Sequence, residues 1–174
     1  ESLIIYKLMT TEENPIFEGE FYKIDGAINQ PKPIQKPYPP LWVCGGGEKV
    51  TLKLLAKYGD YGNWDVDVDG FINKSNILQD HCNNVNREYS EIGRTLHTNV
   101  LIAENKNKLD AKIEKLSSYT NIPKEYYYER PLIGLEDEVF ETLNQYKEAG
   151  CTYLIAYIPD IVWGDTLDIL SKLN

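Results

Sequence analysis

The sequence predicts an α/β fold with about four parallel strands and flanking helices. Segments with strand character lie at residues 41–44, 60–66, 95–103 and 151–158. Each of them is followed by a segment whose apolar residues recur every three or four positions, as in an amphipathic helix. Because strand–helix–strand connections within one sheet are right-handed crossovers, this alternation implies a parallel sheet. An open doubly wound sheet and part of a barrel both fit the pattern.

The chain before the first of these strands has a different character. Residues 3–8 show the apolar spacing of the end of a helix, and we expect that helix to begin before residue 1. Residues 14–28 alternate in part and carry two glycines, which indicates a short extended excursion. Residues 30–40 contain five prolines, so we expect an extended path over the surface. Since residue 1 is Glu and not Met, we expect a processed product, a fragment or part of a gene.

The strand-to-helix units follow in order. Residues 41–44 form a short apolar run between Pro40 and Gly45, as expected of a strand buried on both faces. A helix is predicted over residues 51–58 and ends at Gly59. The remaining segments are predicted as helices at residues 69–87, 108–117, 135–149 and 164–173, with a tyrosine-rich, irregular insertion at residues 119–131.

Composition excludes two classes of partner. The 174 residues carry a net charge of -9, and Lys and Arg form no cluster. Nucleic-acid binding requires a basic surface, so we predict no nucleic-acid partner. No apolar run approaches the roughly 20 residues of a membrane helix, so we predict no membrane association.

The three cysteines, Cys44, Cys82 and Cys151, are odd in number and widely spaced. They form neither a metal-binding pair nor the disulfide framework of a secreted protein, which indicates the reducing cytoplasm. We interpret each as a small buried apolar residue.

The segment PKPIQKPYPPLWVCGGGEKVTLKLLAKYGDYGNW, residues 31–64, resembles the bacterial luciferase-like monooxygenase superfamily. The similarity is greatest to the branch of oxidoreductases that use the deazaflavin coenzyme F-420. The positions that match the pattern of this branch are Pro31, Pro33, Gln35, Pro37, Pro39, Pro40, Gly45, Gly46, Gly47, Thr51, Leu52, Leu54, Ala56, Tyr58, Asp60 and Asn63. The flanking segments TEENPIFEGEFYKIDGA and LEDEVFETLNQYKEAGCTYLIAYIP resemble the same family, so the likeness covers nearly the whole chain.

The resemblance implies a (β/α)8 TIM barrel, which needs about 250 residues. The four predicted strands would be its fifth to eighth, so residues 1–174 are expected to form a single partial-barrel domain, the C-terminal half of the barrel. The function implied is that of an oxidoreductase or monooxygenase whose cofactor is coenzyme F-420 or FMN. In the family the first four strands carry much of the contact to the cofactor ring and the substrate. The resemblance therefore assigns no catalytic residue to this chain.

The glycine turn is the predicted cofactor-binding element. Gly45, Gly46 and Gly47 follow a strand and precede a helix, where ligands of such barrels bind. Backbone N–H groups of glycines can approach an anion closely, and the helix N-terminus favours negative charge. With the family resemblance, we expect these three residues and the hydroxyl of Thr51 to hold the cofactor phosphate. The alternative is that the glycines only permit a tight turn.

Other candidate sites are weaker. Asp65, Asp67 and Asp69 imitate the start of a calcium-binding loop, but position 12 is Asn76 where a bidentate Glu is required, so we predict no metal site and expect Asp69 to cap the next helix. His81 and His97 are interpreted as structural or surface residues. Further aromatic residues that could cover or stack on a ligand, or simply pack, are Tyr126, Tyr127, Tyr128, Trp64 and Trp163.

A second hypothesis is a non-catalytic module that binds a phosphate-bearing ligand or only assembles. A half-barrel leaves sheet edges exposed, and exposed edges recruit other chains. We therefore expect a homo-oligomer or a complementary N-terminal half as partner, besides a flavin-type cofactor.

Overall fold

A computed structural model describes residues 1–172 of the protein. The strands are β1 (Ile16–Glu18), β2 (Lys23–Asp25), β3 (Trp42–Cys44), β4 (Tyr61–Trp64), β5 (Gly93–Ala103), β6 (Leu132–Leu135) and β7 (Tyr153–Tyr157). The helices are α1 (Ser2–Thr11), α2 (Thr51–Tyr58), α3 (Val68–Asn84), α4 (Lys106–Thr120), α5 (Lys124–Tyr128), α6 (Glu136–Glu148) and α7 (Thr166–Leu170). None of these helices is both long and apolar enough to cross a membrane.

The sheet is parallel, as the alternation of strands and helices predicts. β3 pairs with β4, and β4 pairs with the first residues of β5. On β5, residues 95–99 pair with β7 and residues 100–103 pair with β6, again in parallel. β1 and β2 form a separate antiparallel hairpin. The four predicted strands are therefore β3, β4, β5 and β7, and the fold class is confirmed.

The helices α2, α3 and α6 cover one face of this sheet. Side chains from these helices and from the strands form the main apolar cluster, which includes Leu52, Leu55, Trp64, Phe71, Leu78, Leu96, Val139 and Tyr146. Because successive strand residues point to opposite faces, the residues between these strand positions lie on the other face. We call it the open face and define it by Trp42, Tyr61, His97, Tyr153 and Tyr157. Trp42 is 38% exposed and Tyr157 is 61% exposed.

A second apolar cluster lies at the end of β5. It joins Leu101 and Ala103 of the strand to residues of α4, to Tyr127 of α5 and to Ile133 of β6. This part of the open face is therefore covered by the chain itself, while the part nearer the start of β5 is not.

Arg87 binds the end of a helix that packs on the sheet. Arg87 donates through one nitrogen, Nη1, to the carbonyl groups of Leu55, Ala56 and Gly59, at 3.3, 3.2 and 2.7 Å. These carbonyls lie at the C-terminal end of α2, where backbone acceptors lack partners further along the helix, so the guanidinium joins the end of α2 to the segment that follows α3.

Several predictions differ from the structure. Residues 119–131 were expected to be irregular, but α5 lies within them and is followed directly by β6. The helix expected at residues 69–87 begins one residue earlier and ends at Asn84, and Asp67, not Asp69, caps it by accepting from Gly70 N–H at 2.8 Å. The last helix is shorter than residues 164–173, and Leu173 lies outside the described residues.

The expectation that β3 is buried on both faces is also wrong. Val43 packs against the main cluster, whereas Trp42 and Cys44 on either side of it are exposed. Helices cover only one side of β3, which is the first strand of the sheet. For the same reason the prediction of a buried Cys44 fails. Cys82 is buried as expected, and Cys151 is partly exposed.

Candidate functional site

The chain turns at Gly45, directly after β3. Gly45 has φ +110°, a conformation that residues with a side chain rarely adopt. Its N–H donates to the carbonyl of Asn63 at 3.2 Å, which continues the pairing of β3 with β4 by one residue. The glycine at this position thus lets the chain leave the sheet at the carboxyl end of the strand.

Gly46 lies beneath a lysine of the neighbouring helix. A Cβ atom at residue 46 would come within 2.9 Å of Lys74 Cε. Lys74 Nζ in turn donates to Glu48 Oε1 at 2.9 Å, and the Lys74 side chain is only 15% exposed. The absence of a side chain at Gly46 therefore allows α3 to bring a positive charge onto the turn.

Gly47 makes room for Thr51. A Cβ atom at residue 47 would lie 2.7 Å from Thr51 Oγ1, so any larger residue would displace this hydroxyl. Thr51 is the first residue of α2, and no side chain of the described residues caps that helix. The Leu52 N–H of the first turn donates to the Gly47 carbonyl at 3.0 Å, and the partial positive charge of the helix N-terminus lies next to the Thr51 hydroxyl and the glycine turn.

α3 contacts the glycine turn at a second point, through His81. Its Nε2 lies 2.8 Å from the carbonyl oxygen of Glu48. A carbonyl only accepts hydrogen bonds, so Nε2 carries the proton in this contact. His81 and Lys74 are seven positions apart and therefore share one face of α3. Together they hold the backbone and the side chain of Glu48.

A cavity of about 320 Å³ opens beside the turn on the open face. Its polar lining includes Cys44, Asn63, Asp65 and His97. In the register of the sheet Cys44, Asn63 and Thr95 are neighbours, and Thr95 Oγ1 lies 2.9 Å from Asn63 Oδ1. Thr95 Oγ1 lies at the same distance, 2.9 Å, from the Gly62 carbonyl, so its one hydrogen is shared between these two acceptors. The Asn63 amide nitrogen lies 3.9 Å from Cys44 Sγ. The cavity therefore offers a thiol, an amide, an imidazole and the Asp65 carboxylate next to the glycine turn.

The far wall of this cavity is held by contacts to other elements. Tyr146 of α6 donates to the carbonyl of Val66 at 2.6 Å, and burial raises the pKa of the Tyr146 hydroxyl, so it stays a donor. Arg130 Nη1 donates to Asp65 Oδ2 at 3.0 Å. These contacts fix the connection between β4 and α3.

The structure thus brings all four predicted residues, Gly45, Gly46, Gly47 and Thr51, to one strand-to-helix junction. Whether they bind a phosphate stays a prediction. Lys74 is not among the site residues predicted from the sequence, and His97 is predicted to be a structural or surface residue. His97 is exposed and faces the cavity. The signal that could have identified Lys74 is its spacing of seven from His81, which places both residues on one face of the predicted helix.

The acidic residues that imitate a calcium loop have other roles. Asp67 caps α3, and Asp65 pairs with Arg130. Among the described residues no group of three or more His, Cys, Asp or Glu side chains could hold a metal ion.

The fold places this chain in the α/β class. Its sheet is parallel, helices cover one face of the sheet, and the other face is the open face. No known family model matches the sequence, and no curated protein matches it. Solved structures do match.

One is an F-420-dependent secondary alcohol dehydrogenase in complex with an F-420–acetone adduct, with a TM-score of 0.75 and 15% identity over 98% of this chain and 58% of that one. Another is the coenzyme F-420-dependent tetrahydromethanopterin reductase from Methanopyrus kandleri, with a TM-score of 0.70 and 15% identity over 97% of this chain and 58% of that one. A third is the monooxygenase RslO1 from Streptomyces bottropensis, with a TM-score of 0.68 and 16% identity over 87% of this chain and 50% of that one.

These structures share the fold of this chain, which spans about half to three-fifths of their length. They are F-420-dependent oxidoreductases and a monooxygenase, the two kinds of enzyme to which the sequence resemblance points. At 15–16% identity this likeness shows the fold alone, and the coverage is consistent with a partial barrel.

Proposed function

We propose that this chain forms the phosphate-binding side of the cofactor site in a flavin- or deazaflavin-dependent oxidoreductase of the luciferase-like superfamily. The observation that carries the proposal is the junction of β3 and α2, where three glycines, an uncapped helix N-terminus and the Thr51 hydroxyl meet beside a cavity. When bound, the cofactor supplies the redox chemistry. The residues described here bind its phosphate and orient it.

Each part of the junction has a separate task in this proposal. The backbone at Gly46 and Gly47 approaches the phosphate closely because neither residue carries a side chain. Thr51 Oγ1 donates a hydrogen bond, and the start of α2 adds its partial positive charge. Lys74 neutralises the carboxylate of Glu48, which otherwise would repel the phosphate from the turn.

Titration of the protein with FMN and with riboflavin tests this role, because the two differ only in the phosphate. We expect FMN to bind at least about tenfold more tightly, since a charge-assisted hydrogen bond contributes ~1.5–3 kcal/mol. Gly47→Ala and Thr51→Val should reduce that preference. Thr142→Val is the matched control, because the Thr142 hydroxyl bonds only within its own helix, to the carbonyl of Glu138. Equal affinity for FMN and riboflavin would contradict the proposal.

The same titration with coenzyme F-420 decides which cofactor the chain prefers. The sequence and the fold support both equally, because the structures that share the fold include F-420-dependent enzymes and an enzyme described with modified FMN. We propose the cytoplasm as the location, since Cys44, Cys82 and Cys151 are free.

We also propose that a partner covers the open face, either a second copy of this chain or a complementary half-barrel. Trp42 stacks on Tyr61 with ring centroids 4.4 Å apart, and Tyr153 meets Trp42 edge-on at 6.0 Å. These rings form an aromatic layer that is only partly covered, although such layers fill the interior of a barrel. Light scattering coupled to size exclusion should show a dimer at micromolar concentration. A purely monomeric chain would exclude the second copy as partner.

A further inference from the structure

A second cavity lies on the open face, farther along β5. It has a volume of about 470 Å³, which is within the range of small-molecule sites. Its floor is formed by Asn99 and Tyr157, which are direct neighbours in the pairing of β5 with β7. Its walls come from α4, from the segment around α5 and from the loop after β7. We call it the tyrosine cavity.

The walls are rich in aromatic rings. They include Tyr119, Tyr126, Tyr127, Tyr157 and Trp163. The Tyr126 and Tyr127 rings meet edge-on at 5.4 Å, and the Tyr127 hydroxyl lies 2.8 Å from Thr120 Oγ1. Hydrogen bonding and packing fix this wall, whereas Tyr119 is 83% exposed at the rim. Flat rings arranged around a concave space favour a flat ligand.

The residues that line the tyrosine cavity carry a positive charge, whereas the protein as a whole is negatively charged. Lys115 is the one ionisable Lys, Arg, Asp or Glu among the described residues that line the cavity. Its ammonium lies 4.0 Å from the centroid of the Trp163 ring. No carboxylate of the described residues lies within ion-pair distance of it. The protein carries a net charge of -9, so carboxylates are plentiful, yet none lines this cavity.

We propose that the tyrosine cavity binds a flat aromatic molecule that carries one acidic group. The ring packs against the tyrosines and Trp163, and the acidic group pairs with Lys115. The Asn99 side-chain amide at the floor supplies a hydrogen-bond donor. The positive charge of Lys115 and the absence of lining carboxylates disfavour a ring that carries a protonated alkylamine, because Lys115 would repel that cation.

The position of the cavity connects it with the glycine turn. His97 lines the first cavity and Asn99 lines the second, and both lie on the open face of β5. Two residues along a strand are about 7 Å apart, so the two cavities are adjacent. The suggestion that the aromatic acid is the substrate rests on the proposed function. The suggestion that the tyrosine cavity binds the acid is independent of that function.

Calorimetric titration of the 174-residue chain without cofactor tests the binding. The probes are 2-naphthoate, 2-naphthylmethanol and 2-naphthylmethylamine, which share one ring system. We expect 2-naphthoate to bind about tenfold more tightly than the alcohol, because its carboxylate forms one charge-assisted hydrogen bond with Lys115 and such a bond contributes about this much affinity. The amine should bind more weakly than the alcohol.

Two variants separate the charge from the rings. Lys115→Met should lower the affinity for 2-naphthoate to that of the alcohol and leave the alcohol unchanged. Trp163→Leu should weaken both by roughly three- to tenfold. Lys53→Met is the matched control, because Lys53 is exposed on α2 and lines neither cavity, and it removes the same charge.

Three results would overturn the proposal: no saturable binding of 2-naphthoate, equal affinity for the acid and the alcohol, or an unchanged affinity in Lys115→Met. None of them affects the comparison of FMN with riboflavin, which concerns the glycine turn. Failure of one proposal is therefore distinguishable from failure of the other.

Discussion

The ammonium of Lys112 lies 2.7 Å from Asp160 Oδ2, and both side chains are buried. Lys112 Nζ also donates to the carbonyl of Ile102 at 2.6 Å and to Asp165 Oδ1 at 2.5 Å. Thr166 donates its hydroxyl hydrogen to the same Asp160 oxygen at 2.9 Å. One lysine of α4 therefore joins the end of β5 to the loop that leads from β7 into α7.

Replacing this lysine should destabilise the fold. Lys112→Met leaves Asp160 buried without a counter-charge, and breaking a buried ion pair in this way costs about 3–5 kcal/mol. Chemical denaturation followed by circular dichroism measures the loss. The control is Lys106→Met on the same helix, because Lys106 pairs with Asp110 at the surface, 3.6 Å away, and such pairs contribute about 0–1 kcal/mol. Equal losses in the two variants would show that the buried pair has no special role.

Acid should lower the stability that the contacts of Lys112 contribute. The hydrogen bond from Lys112 lowers the pKa of the Asp165 carboxyl below its ordinary value of 3.8. The unfolded chain then binds a proton more readily than the folded one, so the stability that Asp165 contributes is complete above the ordinary pKa. It is lost as the pH falls through the lower, folded pKa.

Unfolding measured between about pH 5 and pH 2 tests this, and Asp165→Asn should show a shallower decline than the unsubstituted protein. Because the Asp165 side chain is 44% exposed, solvent screening keeps the difference modest. Parallel curves for the two proteins would contradict the expectation.

Cys44 should be the fast-reacting thiol of the chain. It is exposed beside the glycine turn, whereas burial raises the pKa of the Cys82 and Cys151 thiols and so lowers their thiolate fraction. A colorimetric thiol reagent should therefore label one cysteine rapidly, and Cys44→Ser should abolish that phase. FMN should slow the labelling and riboflavin should slow it less. Labelling that FMN leaves unchanged would argue against a ligand at the turn.

Gly93 is expected to be intolerant of a side chain. A Cβ atom there would lie 2.2 Å from the Tyr61 ring, which stacks on Trp42. Gly93→Ala should cost about 1–3 kcal/mol and change the near-ultraviolet dichroism of the stacked rings.

A double-mutant cycle provides the control for this prediction. In a Tyr61→Ala background the space above Gly93 is empty, so Gly93→Ala should then cost much less. If Gly93→Ala destabilises the Tyr61→Ala protein as much as it does the unsubstituted one, the cause lies in the backbone of β5 and not in a clash with the Tyr61 ring.

The strand-to-helix units could be predicted because each rests on local periodicity. The sequence lacks such a signal at residues 124–135, where Pro131 follows a run of tyrosines and charged residues, so α5 and β6 were missed. Their formation depends on packing against Leu101 and Ala103 of β5, which no local pattern reveals. The exposure of Cys44 also depends on which face of the sheet the helices cover, and a three-residue strand does not encode that.

The residues of the candidate site also fall into those that a local sequence pattern predicts and those that only the packing of elements brings together. The glycine turn and Thr51 are contiguous in sequence, so they could be identified together. Lys74 and His81 reach the turn only because α3 packs against α2, and their contacts join residues 26 and 33 positions apart. The tyrosine cavity combines five parts of the chain. Tyr126, Tyr127 and Trp163 are predicted from the sequence as possible ligand contacts, but no local pattern indicates that they lie around one space.

β5 is the strand that pairs with the largest number of other strands in the described residues. It pairs with β4 at its start, with β7 in its middle and with β6 at its end. The pairing with β7 begins beside the contact of Arg94 with Thr152, which are 58 positions apart. Residues 95–99 of β5 are therefore synthesised well before β7, and β6 is synthesised between them. Until β7 emerges from the ribosome, residues 95–99 of the nascent β5 lack this neighbour.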